Sequence, residues 1–242
     1  MTQVAALAVG RSYKETLLEA LDLRPGQTAL DVGCGPGTDL GGLAAGVDES
    51  GRVIGVDQDP AMLAEATSRM ADRPWVELRD GDAHALPVAD GSVDRAHVDR
   101  VLMHVADPGK VLAELRRVAR PGCVIGLAEP DWDTLVVDSD DLETARAFTR
   151  YTTEVAVRNA TIGRQLPRLA ESAGFAVDAV TATTPVFRDA ALADKVLGLG
   201  RNTRRAIDAG YMDESRGRAW FASLSEGPFL ASSTLFTVVA RA

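Results

Sequence analysis

Leu30-Asp31-Val32-Gly33-Cys34-Gly35-Pro36-Gly37-Thr38-Asp39 is the stretch around which this chain is organised. The apolar run over residues 28–32 predicts a strand, the glycines a turn, and residues 40–45 the helix that follows. At such a corner a side chain holds a ligand off, so Gly33, Gly35 and Gly37 let the backbone come close. The helix N-terminus adds unpaired N–H groups. The expectation is a nucleotide-sized socket where a strand hands over to a helix.

The spacing is Gly-x-Gly-x-Gly, with Thr38 where the dinucleotide fingerprint wants its last glycine. A turn of this kind suits an amino-acid or sulfonium group better than a pyrophosphate. Beyond it, residues 51–57 read as a second strand ending in Asp57, 24 residues past Gly33. That is close to the ~20-residue offset at which a carboxylate meets a ribose in strand–helix–strand nucleotide folds. The alternative role for Asp57 is to cap the helix over residues 60–71, which carries Met62, Leu63 and Ala66 on one face. Residues 75–79 alternate like a third, edge strand, followed by Gly81-Asp82-Ala83. There an acid with a small neighbour can accept from an adenine amino group while the ring lies flat. His84 and Pro87 read as a surface turn.

Residues 92–99 predict a fourth strand with an awkward face, since central parallel strands run nearly all apolar and Arg95 and His97 share one side. A buried ion pair of Arg95 with Asp31 or Glu129 is the expected remedy. Val101-Leu102-Met103-His104 opens the next turn, at the strand end where open α/β sheets place ligands. A helix over 108–119 follows, with Arg116, Arg117 and Arg120 read as a solvated face near its C-terminus. Pro121-Gly122 then precedes a fifth strand over 123–128.

Upstream, residues 12–21 predict an amphipathic helix that packs on the sheet edge, with Leu7 continuing its pattern; Arg11 and Tyr13 are candidates to close over a ligand. Downstream, helices are expected over 140–157 and 163–173, a strand over 175–187, a helical insertion over 190–224 and a last strand over 234–241. The extra helices suggest a cover over the strand ends. The expected organisation is one domain over 1–242, with a capping helix in 1–23 and a cofactor-binding core in 24–130. Lid segments fall in 131–175 and 189–228, and C-terminal strands in 175–188 and 229–242.

Composition bounds the partners. A 242-residue chain buries one sizeable core, and a net charge of −9 repels a polyanion, so nucleic acid is not expected and a small-molecule acceptor is. No apolar run approaches the roughly 20 residues of a membrane span, and the N-terminus lacks a signal pattern, so no membrane partner and a cytoplasmic location are expected. Cys34 and Cys123 read as small buried residues, and no Cys/His spacing suggests a metal. A monomer or homodimer is expected.

Together, residues 30–39, 53–57, 81–82, 92–98 and 120–129 resemble the successive motifs of the class I S-adenosylmethionine-dependent methyltransferases. The likeness is greatest to the small-molecule branch around the ubiquinone and menaquinone C-methyltransferases and natural-product methyltransferases. It covers residues 24–130 closely and the rest in outline. The resemblance implies an α/β, Rossmann-like sheet of seven mostly parallel strands with the last antiparallel, helices on both faces and a helical lid. S-adenosyl-L-methionine would lie across the strand ends. Gly33, Gly35 and Gly37 would pass its methionyl part, Asp31 would orient its amino group, Asp57 would hold the ribose, and Asp82 with Ala83 would meet the adenine. Cys34, Gln58, Met62 and Asp99 complete the expected cofactor-binding set.

The run Asp99-Arg100-Val101-Leu102 departs from the Asn/Asp-Pro-Pro-Tyr-like motif of enzymes that methylate exocyclic amines of bases or protein amides. Glu129 and Asp131 alone do not make the metal site of the catechol branch. His104 sits where a general base would remove an acceptor's proton; the alternative is a turn histidine bound to backbone or cofactor. Asp131, Trp132, Tyr151, Arg158 and Asn159 are candidates to line the acceptor pocket. Two rival readings are a non-methylating S-adenosylmethionine-binding protein of the same fold and a nicotinamide-dependent oxidoreductase.

Overall fold

The computed structural model describes residues 8–242, with side chains from Tyr13 onward. The Leu7 position and the Arg11 side chain lie outside the described residues. Chain order is α1 (Ala8–Ala20), β1 (Thr28–Val32), α2 (Leu40–Val47), β2 (Arg52–Asp57), α3 (Pro60–Arg69), β3 (Val76–Asp80), β4 (Val93–Asp99), α4 (Pro108–Val118) and β5 (Ala119–Val137). There follow α5 (Leu142–Tyr151), a π-helical turn (Thr152–Ala156), α6 (Ile162–Ser172), β6 (Ala176–Thr183) and β7 (Val186–Phe187). The chain closes with α7 (Ala190–Leu197), α8 (Leu199–Asp208), α9 (Glu214–Ser223) and β8 (Ala231–Arg241).

The sheet runs β3-β2-β1-β4-β5-β8-β6, with β7 pairing β8. Its first five strands are mutually parallel, and β8 is antiparallel to both β5 and β6. The expected α/β architecture stands, with one two-residue strand added to the seven. Strand order reverses between β1 and β4, so their carboxyl ends flank a crevice of the kind in which open α/β sheets bind ligands.

Burial explains the order. Leu30, Val32, Ile54, Val98, Ile125 and Leu127 form a core with α4 and α6 on one side of the sheet. On the other, Leu21 of the α1 end and Leu40, Leu43 and Val47 of α2 pack with Ala29 and Val53. A separate cluster joins Leu135, Phe148, Phe187, Leu197, Trp220 and Phe229, so the helices of the second half have a small core of their own.

That second core rests on something the periodicity does not predict. β5 runs on to Val137 instead of ending at Ala128, and after a bulge between Asp131 and Val136 it pairs again with Ser232 and Ala231. Val137, Ala231 and Phe187 then share the buried face of a three-stranded extension. The insertion over 190–224 is three helices, broken where Gly198 and Gly210 adopt φ +68° and +77°. The helix expected over 140–157 is α5 followed by the π-helical turn. Gly163 lets α6 approach β5, because a Cβ there would lie 2.7 Å from the Glu129 carbonyl oxygen.

Candidate functional site

The β1–α2 corner is built as glycine chemistry requires. Gly33, Gly35 and Gly37 take φ of +68°, +52° and +77°. A Cβ on Gly33 would stand 2.4 Å from a Val101 methyl, so β1's turn can meet the β4 turn only without one. Gly37 serves packing, since its Cβ would press on Ala66 of α3 at 3.1 Å.

At this corner lies a cavity of about 350 Å³. Gly33, Asp57, Gln58, Asp82, Ala83 and His104 border it, together with His84 and Arg100. Asp31, Cys34, Gly35, Gly37, Met62 and Asp99 do not border it. Of these, Gly35 touches the site through its N–H, which donates to Asp57 Oδ2 at 2.8 Å. Met62 is half-buried on α3, and Cys34 is a buried thiol whose pKa burial pushes up.

The two strand-end acids differ in support. Asp57 accepts from the Gly35 and Asp59 N–H groups, whereas the cap of α3 is Asp59, which accepts from Ala61 and Met62. The capping alternative for Asp57 is thereby removed. Asp82 Oδ1 accepts from the His84 N–H at 2.9 Å and faces its ring Nδ1 at 2.6 Å, and these two contacts hold its carboxyl below the usual range. His84 Nε2 accepts from the Asp107 N–H at 3.1 Å, which assigns the ring proton to Nδ1. His84, in the turn the sequence suggested, therefore also borders the cavity and braces Asp82 against the cap of α4.

The awkward face of β4 is resolved under α1. Arg95 bonds carbonyls that end this helical segment, those of Leu21 and Asp22, and forms no pair with Asp31 or Glu129. A guanidinium near a helix C-terminus meets unpaired carbonyls, which a distant acid does not outbid. It is His97 that pairs with Asp31, Nδ1 to Oδ1 at 2.8 Å, in full burial and with the two residues aligned in the β1–β4 register. Burial alone would lower the imidazole's pKa, but Asp31 overrides it and the net shift is upward. Next along this face, Asp99 receives the Tyr13 hydroxyl at 3.1 Å, the Lys14 ammonium at 2.6 Å and the Arg100 guanidinium at 3.2 Å. Burial works to raise Asp99, yet Arg100 and Lys14 hold it down to about 2. Lys14 also bonds Asp39 at 2.5 Å, tying α1 to the residue before α2. Tyr13 thus reaches the β4 end through Asp99, as a buried residue.

The turn after β4 presents His104 to the cavity. Arg100 begins it at φ +58°, and its backbone N–H donates to the Ala128 carbonyl. Glu129, wholly buried at the neighbouring point of β5, accepts from the N–H groups of Val101, Leu102 and Met103. Burial pushes its carboxyl up to about 8 against the pull of these donors. His104 is shifted below the ordinary imidazole value by partial burial and by Arg100. Periodicity could not reveal Glu129's role, because its partners are 26 to 28 residues away.

The acceptor-side candidates are engaged elsewhere. Asp131 is buried in an ion pair with Arg164, Tyr151 packs edge-on to Tyr211, and Asn159 bonds carbonyls of the His104 turn. Trp132 is half-buried between the two cores, and Arg158 borders a separate cavity with Asp107 and Thr161. Among the described residues no His, Cys, Asp and Glu group could hold a metal ion, and no helix is long and apolar enough to cross a membrane.

A family model described as a methyltransferase domain matches residues 30–127. An uncharacterized 37.1 kDa protein in transposon TN4556 of Streptomyces fradiae is 55% identical over 242 residues, covering 100% of this chain and 70% of that protein. The demethylmenaquinone methyltransferase of Beutenbergia cavernae is 36% identical over 132 residues, 53% of this chain and 52% of that enzyme, so the chain matches about half its length. A crystal structure of a SAM dependent methyltransferase from Aquifex aeolicus shares the fold at TM-score 0.59 and 19% identity, covering 94% of this chain and 88% of that one.

Proposed function

Because the chain belongs to the S-adenosylmethionine-dependent methyltransferase family, we propose that it binds S-adenosyl-L-methionine in the β1–β4 crevice and methylates a small-molecule acceptor. One observation carries this reading: Asp57 and Asp82, at the ends of adjacent strands, border the same cavity as the Gly33 corner and His104. The residues present fit the donor, since Gly33 lets the β1 turn close against Val101 at the cavity's edge and Asp57 is not spent on capping a helix.

Bound there, S-adenosylmethionine supplies a methyl group on a sulfonium, a leaving group that departs as a neutral thioether. Asp57 accepts from the ribose hydroxyls, which a carboxylate with two oxygens does well. Asp82, steadied by His84, accepts from the adenine amino group, and Ala83 leaves the ring room. Asp31, at the end of β1, orients the methionyl amino group through the turn, and Asp99 holds Lys14 and Arg100 at the end of β4. Charge is lost in this displacement, so the enzyme gains mainly by aligning donor and acceptor and excluding water. His104, neutral at pH 7 because its pKa lies low, takes the acceptor's proton. The acceptor is a quinone-like or natural-product metabolite with an ionisable hydroxyl or enol, since a net charge of −9 disfavours nucleic acid.

Asp57→Ala is expected to weaken S-adenosylhomocysteine binding by about 100-fold, through loss of charge-assisted hydrogen bonds worth about 3 kcal/mol together. Titration calorimetry reads this directly, and unchanged affinity would remove Asp57 from the site. The function itself is tested by incubating the protein with methyl-labelled donor and a metabolite pool, then finding the labelled product by mass spectrometry. If neither donor nor S-adenosylhomocysteine binds at micromolar concentration, the proposal fails.

A further inference from the structure

The His104 turn is gripped from two sides. From the sheet, Glu129 takes three of its N–H groups. From the covering layer, the Asn159 side-chain amide donates to the carbonyls of Leu102 and Val105, each at 2.8 Å, and the Asn159 backbone N–H donates to the Met103 carbonyl at 3.1 Å. Asn159 lies between the π-helical turn and α6 and is itself tethered, since its carbonyl accepts from Ile162 and the adjacent Ala160 carbonyl accepts from Trp132 of β5. Both amide protons of one side chain are thus spent on carbonyls that flank the residue facing the cavity. Two carbonyl acceptors also fix which way the amide points.

We infer that Asn159 is a positioning residue: by binding the carbonyls on either side of His104 it sets where the imidazole meets the cavity, and it couples the acceptor-side cover to the proposed base. The inference rests on the reading of His104 as that base. Val101 and Val105, at the ends of the gripped turn, border the same cavity, so a slack turn would reshape its wall as well. The charged and titratable groups sharing this space with His104 are Arg100 from the end of β4, Asp82 and His84 from the loop after β3, and Asp57 from β2. Glu129 lies beneath the turn, and Asp107 stands at the cap of α4.

The chain has only three histidines, so ring titrations can be followed by NMR in the whole protein, with His104→Gln assigning the signal. Asn159→Asp keeps the shape but turns carboxylate oxygens toward the two carbonyls, and Asn159→Ala removes the contact. In Asn159→Ala the His104 midpoint is expected to move up toward about 6.5, the ordinary imidazole value, as the ring leaves its partly buried place beside Arg100, and in Asn159→Asp the added carboxylate raises it further by charge. Calorimetry with S-adenosylhomocysteine is expected to show an affinity within a few-fold of the unaltered protein's, because Asn159 does not itself border the cavity and only the wall at Val101 and Val105 can shift. A His104 titration in Asn159→Ala identical to that of the unaltered protein overturns the inference. Full turnover by His104→Gln would instead defeat the base reading while the titration still reports the ring's position, so the two failures separate.

Discussion

His104→Ala lowers kcat on the acceptor found by label transfer by about 10²- to 10⁴-fold at neutral pH, the range a positioned general base contributes. The sign of the pH dependence follows from the site. Burial and Arg100 both disfavour the imidazolium, so the ring is a free base at pH 7 and the acid limb of kcat/KM falls below about 6.5. In the variant that limb disappears. Its rate climbs again at high pH, where a phenol or enol ionises unaided. S-adenosylhomocysteine affinity stays as it was, because the lost group acts on the acceptor. Activity unchanged at neutral and at high pH alike would remove His104 from the chemistry and leave alignment of the two reactants as the whole of the catalytic contribution.

Replacing His97 with leucine destabilises the fold by about 3 to 5 kcal/mol, the cost of leaving one member of a buried ion pair alone. Asp31 is then a buried carboxyl whose pKa burial already raises, without the imidazole that offsets this. His97 Nε2 has no hydrogen-bond partner among the described residues, and Asp39 and Asp99 add by charge to the upward push of Asp31 on the ring's pKa. Replacing both members, Asp31→Val with His97→Leu, restores much of the loss, since well-packed apolar residues commonly match a buried pair. The folded-state pKa of His97 lies above its unfolded value. Its stabilisation is therefore complete below about 6.5 and fades as pH rises through the higher folded value. Urea unfolding at several pH values reads this as a steeper alkaline decline in the unaltered protein than in His97→Leu. Equal slopes, or a single variant as stable as the double, would show that the pair contributes nothing.

The polar face of β4 shows why both experiments are available in one molecule. Arg95, His97 and Asp99 alternate along a central strand, each meeting a different group from β1 or the α1 segment, and together they attach the N-terminal helix to the floor of the site. A strand buried on both faces normally avoids such residues. Here each finds a partner, and the helix that covers them is placed by those partners as much as by Leu17 and Leu21.

What the sequence by itself determined is local. The glycine corner follows from φ angles that other residues resist, the strands of residues 28–118 from short apolar runs and the helices from apolar periods near 3.6, and the strand-end acids from their place directly after those runs. Charge composition likewise needs no coordinates. Only the tertiary structure decided which groups meet: His97 with Asp31 across 66 residues, Asn159 with Leu102 across 57, and Glu129 with the turn before α4. It also decided that β5 outruns its apolar stretch and that the insertion breaks into three helices. Those outcomes depend on which backbone groups remain unpaired once the sheet has closed, and no window of neighbouring residues contains that information.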